Sequence, residues 1–246
     1  MSHSRHIPHR PAAVLLDAAG TLLRLAGDPA PALAAALARA GHPAPLDRVR
    51  RALAAEIDHY RAHHIRGADP DALAELRREC ARVLVSHLPA PPPAEVALPL
   101  LLEALRFEAF PDAPALLRRL RDAGIPVAVV SNWDCALPEV LDRLGMTPLV
   151  DAVVTSAAFG AAKPDPAVFH HALALLGVPP GPDVVHCGDD VVADLGGARA
   201  AGCTGVLLDR HDAHPGEEPR VRTLAALWSH RDAPPLASPA GPADAR

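Results

Sequence analysis

The chain is 246 residues long, half of them hydrophobic and 22% charged, with a formal net charge of −5 at pH 7. It is long enough to bury a sizeable core and too apolar for a disordered chain, and its dispersed basic residues argue against a nucleic-acid surface. No apolar run approaches the about 20 residues that span a bilayer.

Residues 1–11 (MSHSRHIPHRP) show no periodicity and read as a loose N-terminus without the apolar stretch of a secretory signal. AAVLLD (12–17) follows as a strand candidate. From 27 to 109 the pattern is helical throughout: PALAAALARAG, LDRVRRALAAEIDHYRAHHIRG, DPDALAELRRECARVLVSHL and AEVALPLLLEALRF, with no strand candidate among them. From 110 the rhythm changes. PVAVVS (126–131), DAVVT (151–155), DVVHCGD (183–189) and TGVLLD (204–209) are short, β-branched runs bounded by Gly, Pro or Asp. Between them lie helical patterns at 113–124, 136–145, 166–177 and 192–202, several ending in a glycine C-cap. Residues 231–246 are Pro- and Ala-rich and read as a disordered tail.

Strand–helix alternation with near-continuous apolar strands implies parallel strands covered on both faces. The expected fold is therefore α/β, a Rossmann-like open parallel sheet built from 12–26 and 110–230. The all-helical block at 27–109, inserted after the first strand, would sit above the strands' carboxyl ends as a cap, and ligands bind at that edge. There is no G-x-G-x-x-G and no P-loop. Cys80, Cys135, Cys187 and Cys203 are widely spaced without a C-x-x-C pair, the pattern of free thiols, so a cytoplasmic protein is expected.

Each strand end carries polar residues of a definite kind. The first ends at Asp17 with Gly20 and Thr21 beyond it, the second in Ser131 and Asn132. Lys163 and Pro164 follow the third, and the fourth ends in Gly188, Asp189 and Asp190 with Asp194 a turn later. In one parallel sheet these ends share an edge. Converging carboxylates there call for a hard cation such as Mg²⁺, and a carboxylate beside it can serve as a nucleophile. A lysine and a hydroxyl suit the charge that develops on a transferred phosphoryl group.

Plainer readings exist for each motif. Asp17 could be a turn residue, Ser131-Asn132 a helix N-cap, and Gly188-Asp189-Asp190 the acidic first turn of a helix. Lys163 is harder to set aside. It is the one lysine among 24 basic residues, which favours a role for a compact ammonium over a guanidinium fork.

In order and spacing, DAAGT (17–21), SN (131–132), KP (163–164) and GDDVVAD (188–194) resemble the haloacid dehalogenase superfamily of aspartate-nucleophile hydrolases, and 27–109 resembles the helical cap of its most common subfamily. The resemblance implies Asp17 as nucleophile and Mg²⁺ ligand, with the Ala19 carbonyl and Asp189 completing the metal set and Asp190 and Asp194 in support. It implies that Ser131, Asn132, Lys163 and Thr21 hold the transferred group of a small phosphorylated, or alternatively halogenated, substrate.

One position departs from the pattern. The phosphatases of that superfamily carry a second aspartate two residues after the nucleophile, as general acid and base, where this chain has Ala19. Such help contributes about 10²–10⁴ in rate. The dehalogenase branch also lacks that aspartate, but it works without metal and needs no acidic fourth motif. Phosphonate-cleaving relatives need a cap lysine, and this cap has none. A weakly catalytic phosphate- and metal-binding protein is the third alternative. Glu56, Tyr60, His63 and His64 fall on one helical face of the cap, either as a solvated stripe or as groups that select substrate, with His63, His64 or Glu56 supplying the missing proton transfer. His59 and His64 alone are too little for a zinc site.

Overall fold

A computed structural model describes residues 7–228. Six strands form one parallel sheet: β1 (Ala13–Leu16), β4 (Val127–Ser131), β5 (Ala152–Thr155), β6 (Val184–Gly188), β7 (Thr204–Leu208) and β8 (Arg220–Val221), in the order β5-β4-β1-β6-β7-β8. The chain runs from β1 out to β4 and β5, then returns past β1 to β6, β7 and β8. The carboxyl ends of β1, β4 and β6 thus flank the point where the winding reverses, the usual crevice of such sheets.

The strands are apolar at most positions because both faces are covered. Along β1, Val14 and Leu16 pack with Leu116, Leu117 and Leu120 of α5 (Ala113–Asp122) and with Leu137 and Leu141 of α6 (Leu137–Arg143). Ala13 and Leu15 face the other way, onto Val168, Phe169 and Leu173 of α8 (Pro166–Leu176). A period of two therefore divides one short strand between two core layers.

The block after β1 is built from α1 (Pro29–Arg39), α2 (Leu46–His63), α3 (Pro70–Ser86) and α4 (Ala94–Ala104). It has its own core of Leu33, Leu37, Val49, Leu53, Leu76, Leu84 and Leu101. Its helices start on readable signals. Asp28 and Asp69 cap α1 and α3, and a proline takes the first position of each. Asp165 before Pro166 repeats the device at α8. No helix among the described residues is long and apolar enough to cross a membrane.

Four details differ from expectation. Residues 27–109 are not helical throughout: β3 (Phe107–Ala109) pairs antiparallel with β2 (Leu23–Leu25), tying together the two chain segments that bracket the helical block. Three-residue strands interrupted by charge, LRL and FEA, are too short for a period-two signal. β8 was hidden for the same reason. The helix expected at 192–202 opens with a wide π turn, Val191–Gly196, before the α-helical Gly197–Ala200. Finally, residues 7–11 are not loose. Ile7 packs against the core and the Trp228 indole donates to the His9 carbonyl at 2.9 Å. The tail expected at 231–246 and the first six residues lie outside the described residues.

Candidate active site

Asp17 sits at the carboxyl end of β1, its N–H donating to the Cys187 carbonyl of β6 at 3.0 Å. Its Oδ1 accepts the Ser131 hydroxyl at 3.0 Å and the Lys163 ammonium at 2.6 Å. Lys163 Nζ also donates to Asp194 Oδ1 at 2.5 Å, and its side chain is 2% exposed. Asn132 reaches Lys163 through its side chain: its amide donates to the Lys163 carbonyl at 2.9 Å and accepts the Lys163 N–H at 2.8 Å. That two-point clamp fixes the backbone from which the ammonium is delivered, and sequence reasoning did not foresee it.

Oxygen atoms of Asp17, Asp189 and Asp194 lie within 4.8 Å of one another, an all-oxygen set of the kind a hard cation takes. Two glycines make room for it. Gly20 holds φ +80°, and a Cβ there would come within 2.2 Å of Asp189 Oδ2; a Cβ on Gly188 would overlap the Asp194 carboxylate at 2.1 Å. Asp189 is exposed as a residue, but its carboxylate is turned in against Gly20.

The charges are unequally compensated. Burial pushes the Asp17 carboxyl up to about 6; Lys163 opposes the rise, and Asp194 and Asp189 add to it. Asp189 is pushed up to about 6 by its loss of solvent and by the Asp194 carboxylate. Burial disfavours charge on Asp194 as well, but the Lys163 ammonium and the His186 hydrogen bond outweigh it and hold that carboxyl well below the usual range. Burial likewise works against the Lys163 ammonium, yet Asp17 and Asp194 more than offset it, so the group stays charged.

The remaining residues singled out in the sequence are arranged differently. Asp190 turns away from the cluster to cap the π turn, accepting from Val192 at 2.8 Å and Ala193 at 2.7 Å, while its own N–H donates to Asp194 Oδ2 at 3.0 Å. Thr21 is wholly buried. Its hydroxyl has no hydrogen-bond partner among the described residues, and its carbonyl accepts from Arg210 at 3.0 Å. The Ala19 methyl is exposed.

From the helical block, Tyr60 donates to Asp134 Oδ2 at 2.7 Å, two residues past Asn132, and the Cys135 N–H donates to the Gly67 carbonyl at 2.9 Å. These contacts join the block to the loop after β4. Glu56 does not share them. It is buried in the block, hydrogen-bonded with Cys80, and pushed up to about 7 by burial. His63 and His64 spend their Nδ1 atoms on the carbonyls of His59 and Arg61, both at 2.8 Å. The stripe read as one polar face thus divides by depth. Its first residue goes into the block's interior, its second to the loop after β4, and its histidines to their own backbone.

Sequence reasoning also passed over His186, which is wholly buried on β6 with Nε2 2.9 Å from Asp194 Oδ1. The available signal was a histidine at one position of an otherwise apolar buried strand. A groove of about 340 Å³ lined by Arg121, Ile125, Leu149, Asp151 and Leu176 lies at the amino end of β4 and holds none of the converging residues.

Residues 11–202 match the sequence family described as haloacid dehalogenase-like hydrolase. Among curated relatives, the bovine haloacid dehalogenase-like hydrolase domain-containing protein 3 is 44% identical over 96 residues, 39% of this chain and 38% of that protein. The ribulose-1,5-bisphosphate 5-phosphatase of Halopiger xanaduensis is 38% identical over 109 residues, 44% of this chain and 43% of that protein. The chain thus spans about two-fifths of the length of the curated relatives it matches. In fold it is similar to the HAD hydrolase YfnB from Bacillus subtilis, solved bound to magnesium, with a TM-score of 0.70 at 17% identity over 89% of this chain and 97% of that one. It is also similar to a 2-haloacid dehalogenase from Pseudomonas syringae, with a TM-score of 0.62 at 21% identity over 87% and 95%.

Proposed function

We propose, from the premise that the chain belongs to the haloacid dehalogenase-like hydrolase family, that it hydrolyses a small phosphate ester through a phosphoryl group carried transiently on Asp17. The observation that carries this reading is the grip on Asp17. Both hydrogen bonds, from Ser131 and Lys163, fall on Oδ1, so Oδ2 is the oxygen presented for attack. In the proposed reaction Oδ2 bonds to phosphorus as the ester P–O bond breaks, and the alkoxide departs, taking its proton from solvent. Water then attacks the phosphorus, which releases phosphate and restores the carboxylate. Lys163, and Ser131 once its hydroxyl turns from Asp17 Oδ1, hold the phosphoryl oxygens.

The donor set fits Mg²⁺, which Asp17, Asp189 and the Ala19 carbonyl would hold. When bound, the ion supplies positive charge against the phosphoryl oxygens and favours the ionised forms of Asp17 and Asp189, which burial and neighbouring carboxylates oppose. Asp194 has both oxygens engaged by protein donors and serves to orient Lys163. The block at 27–109 is read as a cap, with Tyr60 its connection to the substrate-binding loop. The relatives named ribulose-1,5-bisphosphate 5-phosphatase and phosphoserine phosphatase support a small phosphorylated substrate.

Ala19 favours a second reading. A methyl group cannot protonate a leaving alkoxide, whereas a halide leaves without a proton, so hydrolysis of a 2-haloacid by the same nucleophile is the competing activity. A panel of alkyl and aryl phosphates and 2-haloacids, with and without Mg²⁺, on wild type, Asp17→Asn and Ala19→Asp separates the two. Phosphatase turnover that is lost with EDTA and in Asp17→Asn, and rises in Ala19→Asp, supports the first reading. Metal-independent halide release supports the second, and Asp17→Asn with wild-type turnover refutes both.

A further inference from the structure

His186 occupies a position where the sheet would ordinarily place an aliphatic side chain. It is 0% exposed, on the face of β6 that also carries Val184, and it meets the Phe169 ring edge-to-face at 4.9 Å. Its Nδ1 is buried without a hydrogen-bond partner among the described residues. An ionised carboxylate can only accept, so the ring donates from Nε2 to Asp194 and the bare nitrogen is Nδ1. A buried ring with an orphaned nitrogen is a poor choice for stability alone, and such local violations concentrate at functional sites.

What the ring gains is one oxygen. Asp194 Oδ1 takes His186 Nε2 at 2.9 Å and Lys163 Nζ at 2.5 Å; Lys163 in turn lies 2.6 Å from Asp17 Oδ1. The other oxygen of Asp194 is held by the Asp190 N–H at 3.0 Å, and the bare Cα of Gly188 lets the carboxylate lie flat against the strand. Lys163 hangs on four rotatable bonds, so its place beside Asp17 depends on how firmly Asp194 is fixed.

We propose that His186 is a positioning residue which locks Asp194 so that Asp194 can aim the Lys163 ammonium at Asp17. This rests on the reading of Asp17 as the nucleophile. Without the Nε2 donor, Asp194 keeps one partner on Oδ1, its carboxylate can rotate, and the ammonium loses its fixed direction.

The test compares His186→Leu, which removes the donor, with His186→Gln, whose amide can donate to the same oxygen. One readout is steady-state kinetics with p-nitrophenyl phosphate and Mg²⁺. The other is the side-chain ammonium signal of protein labelled with ε-¹⁵N-lysine, which reports Lys163 alone because the chain has one lysine. His186→Leu is expected to lower kcat by about 10–100-fold with KM little changed, the usual effect of losing a residue that orients a reacting group. It is also expected to shift or broaden the ammonium signal. His186→Gln is expected to keep most of both. His186→Leu combined with Asp194→Asn is expected to be no slower than Asp194→Asn alone.

A leucine variant with wild-type kcat and signal, a glutamine variant no better than leucine, or losses that multiply in the double variant would each overturn the proposal. Should the leucine variant fail to fold, the glutamine variant decides, because loss of its ammonium signal counts against the proposal and retention supports it. Should the wild type turn over no phosphate ester, the ammonium signal still tests His186. Failure of the phosphatase reading and failure of this one are therefore separate results.

Discussion

Glu56→Gln is expected to stabilise the protein above neutral pH and to do little below pH 5. The carboxyl is 4% exposed, and burial moves it from an ordinary 4.5 to about 7, with Cys80 as its one hydrogen-bonding neighbour in opposition. A carboxyl raised on folding costs nothing while it is protonated in both states. Stability is fully present below pH 4.5, falls as the unfolded chain ionises first, and reaches its full loss once pH has risen through about 7. The two values correspond to about 3 kcal/mol at pH 8. Asp17 and Asp189 are raised in the same sense, but they are common to both proteins and cancel in the difference. Urea denaturation of wild type and Glu56→Gln from pH 5 to 8.5 gives the measurement. The glutamine variant is expected to gain about 2–3 kcal/mol relative to wild type across that range. A difference that stays constant with pH, or a variant that loses ground at pH 8, would refute the placement of Glu56 as a buried, uncompensated acid.

Other substitutions probe the site and its supports. Lys163→Arg is expected to lower turnover at least about 100-fold, read as kcat on the best phosphate ester, because a guanidinium fork cannot occupy a buried point contact between two carboxylates. Gly188→Ala drives a methyl into the Asp194 carboxylate and is expected to cost roughly 1–3 kcal/mol in thermal or urea unfolding, along with activity. Tyr60→Phe leaves Asp134 without its 2.7 Å donor and is expected to destabilise by about 1–3 kcal/mol, read from the urea midpoint. Asp189→Asn is expected to weaken Mg²⁺ binding, measured by calorimetry, more than Asp194→Asn does, since the Asp194 oxygens are already committed to protein donors.

Legibility followed length and regularity. The five longer strands of the sheet were readable because each is a continuous apolar run between Gly, Pro or Asp, which is how a strand covered on both faces must look. Asp-Pro stands at three helix starts, 28–29, 69–70 and 165–166, a signal the reading of the sequence did not use. β2, β3 and β8 carry too few residues to show a period, and their pairing is decided by tertiary contact. Asp17, Ser131, Lys163 and Asp194 were readable as strand-end polar residues, since parallel topology alone brings such ends to one edge. Depth was not readable. Glu56 and Tyr60 are one helical turn apart and share a face, yet one carboxyl is sealed in against Cys80 while the other side chain crosses to Asp134. Periodicity gives the face of a helix, not what lies over each turn of it.

Charge is distributed unevenly over the three carboxylates. Asp194 meets an ammonium, an imidazole N–H and a backbone N–H, and its carboxyl is held low. Asp17 shares that same ammonium but is buried with two further carboxylates, and Asp189 is buried beside Asp194; burial first and these neighbours next raise both. On the proposed reading a cation belongs with Asp17 and Asp189, the two carboxyls of the cluster that burial and neighbouring carboxylates raise. Held there, it would leave the Asp194 clamp undisturbed. The same geometry sets a limit on the chemistry. Asp17 is held through Oδ1 by both Ser131 and Lys163, while position 19 is an exposed alanine without a polar side chain. Such a site can speed attack at phosphorus more than it can help an alkoxide depart. Its turnover should then depend steeply on the acidity of the leaving group, and least so once Ala19→Asp restores a proton donor.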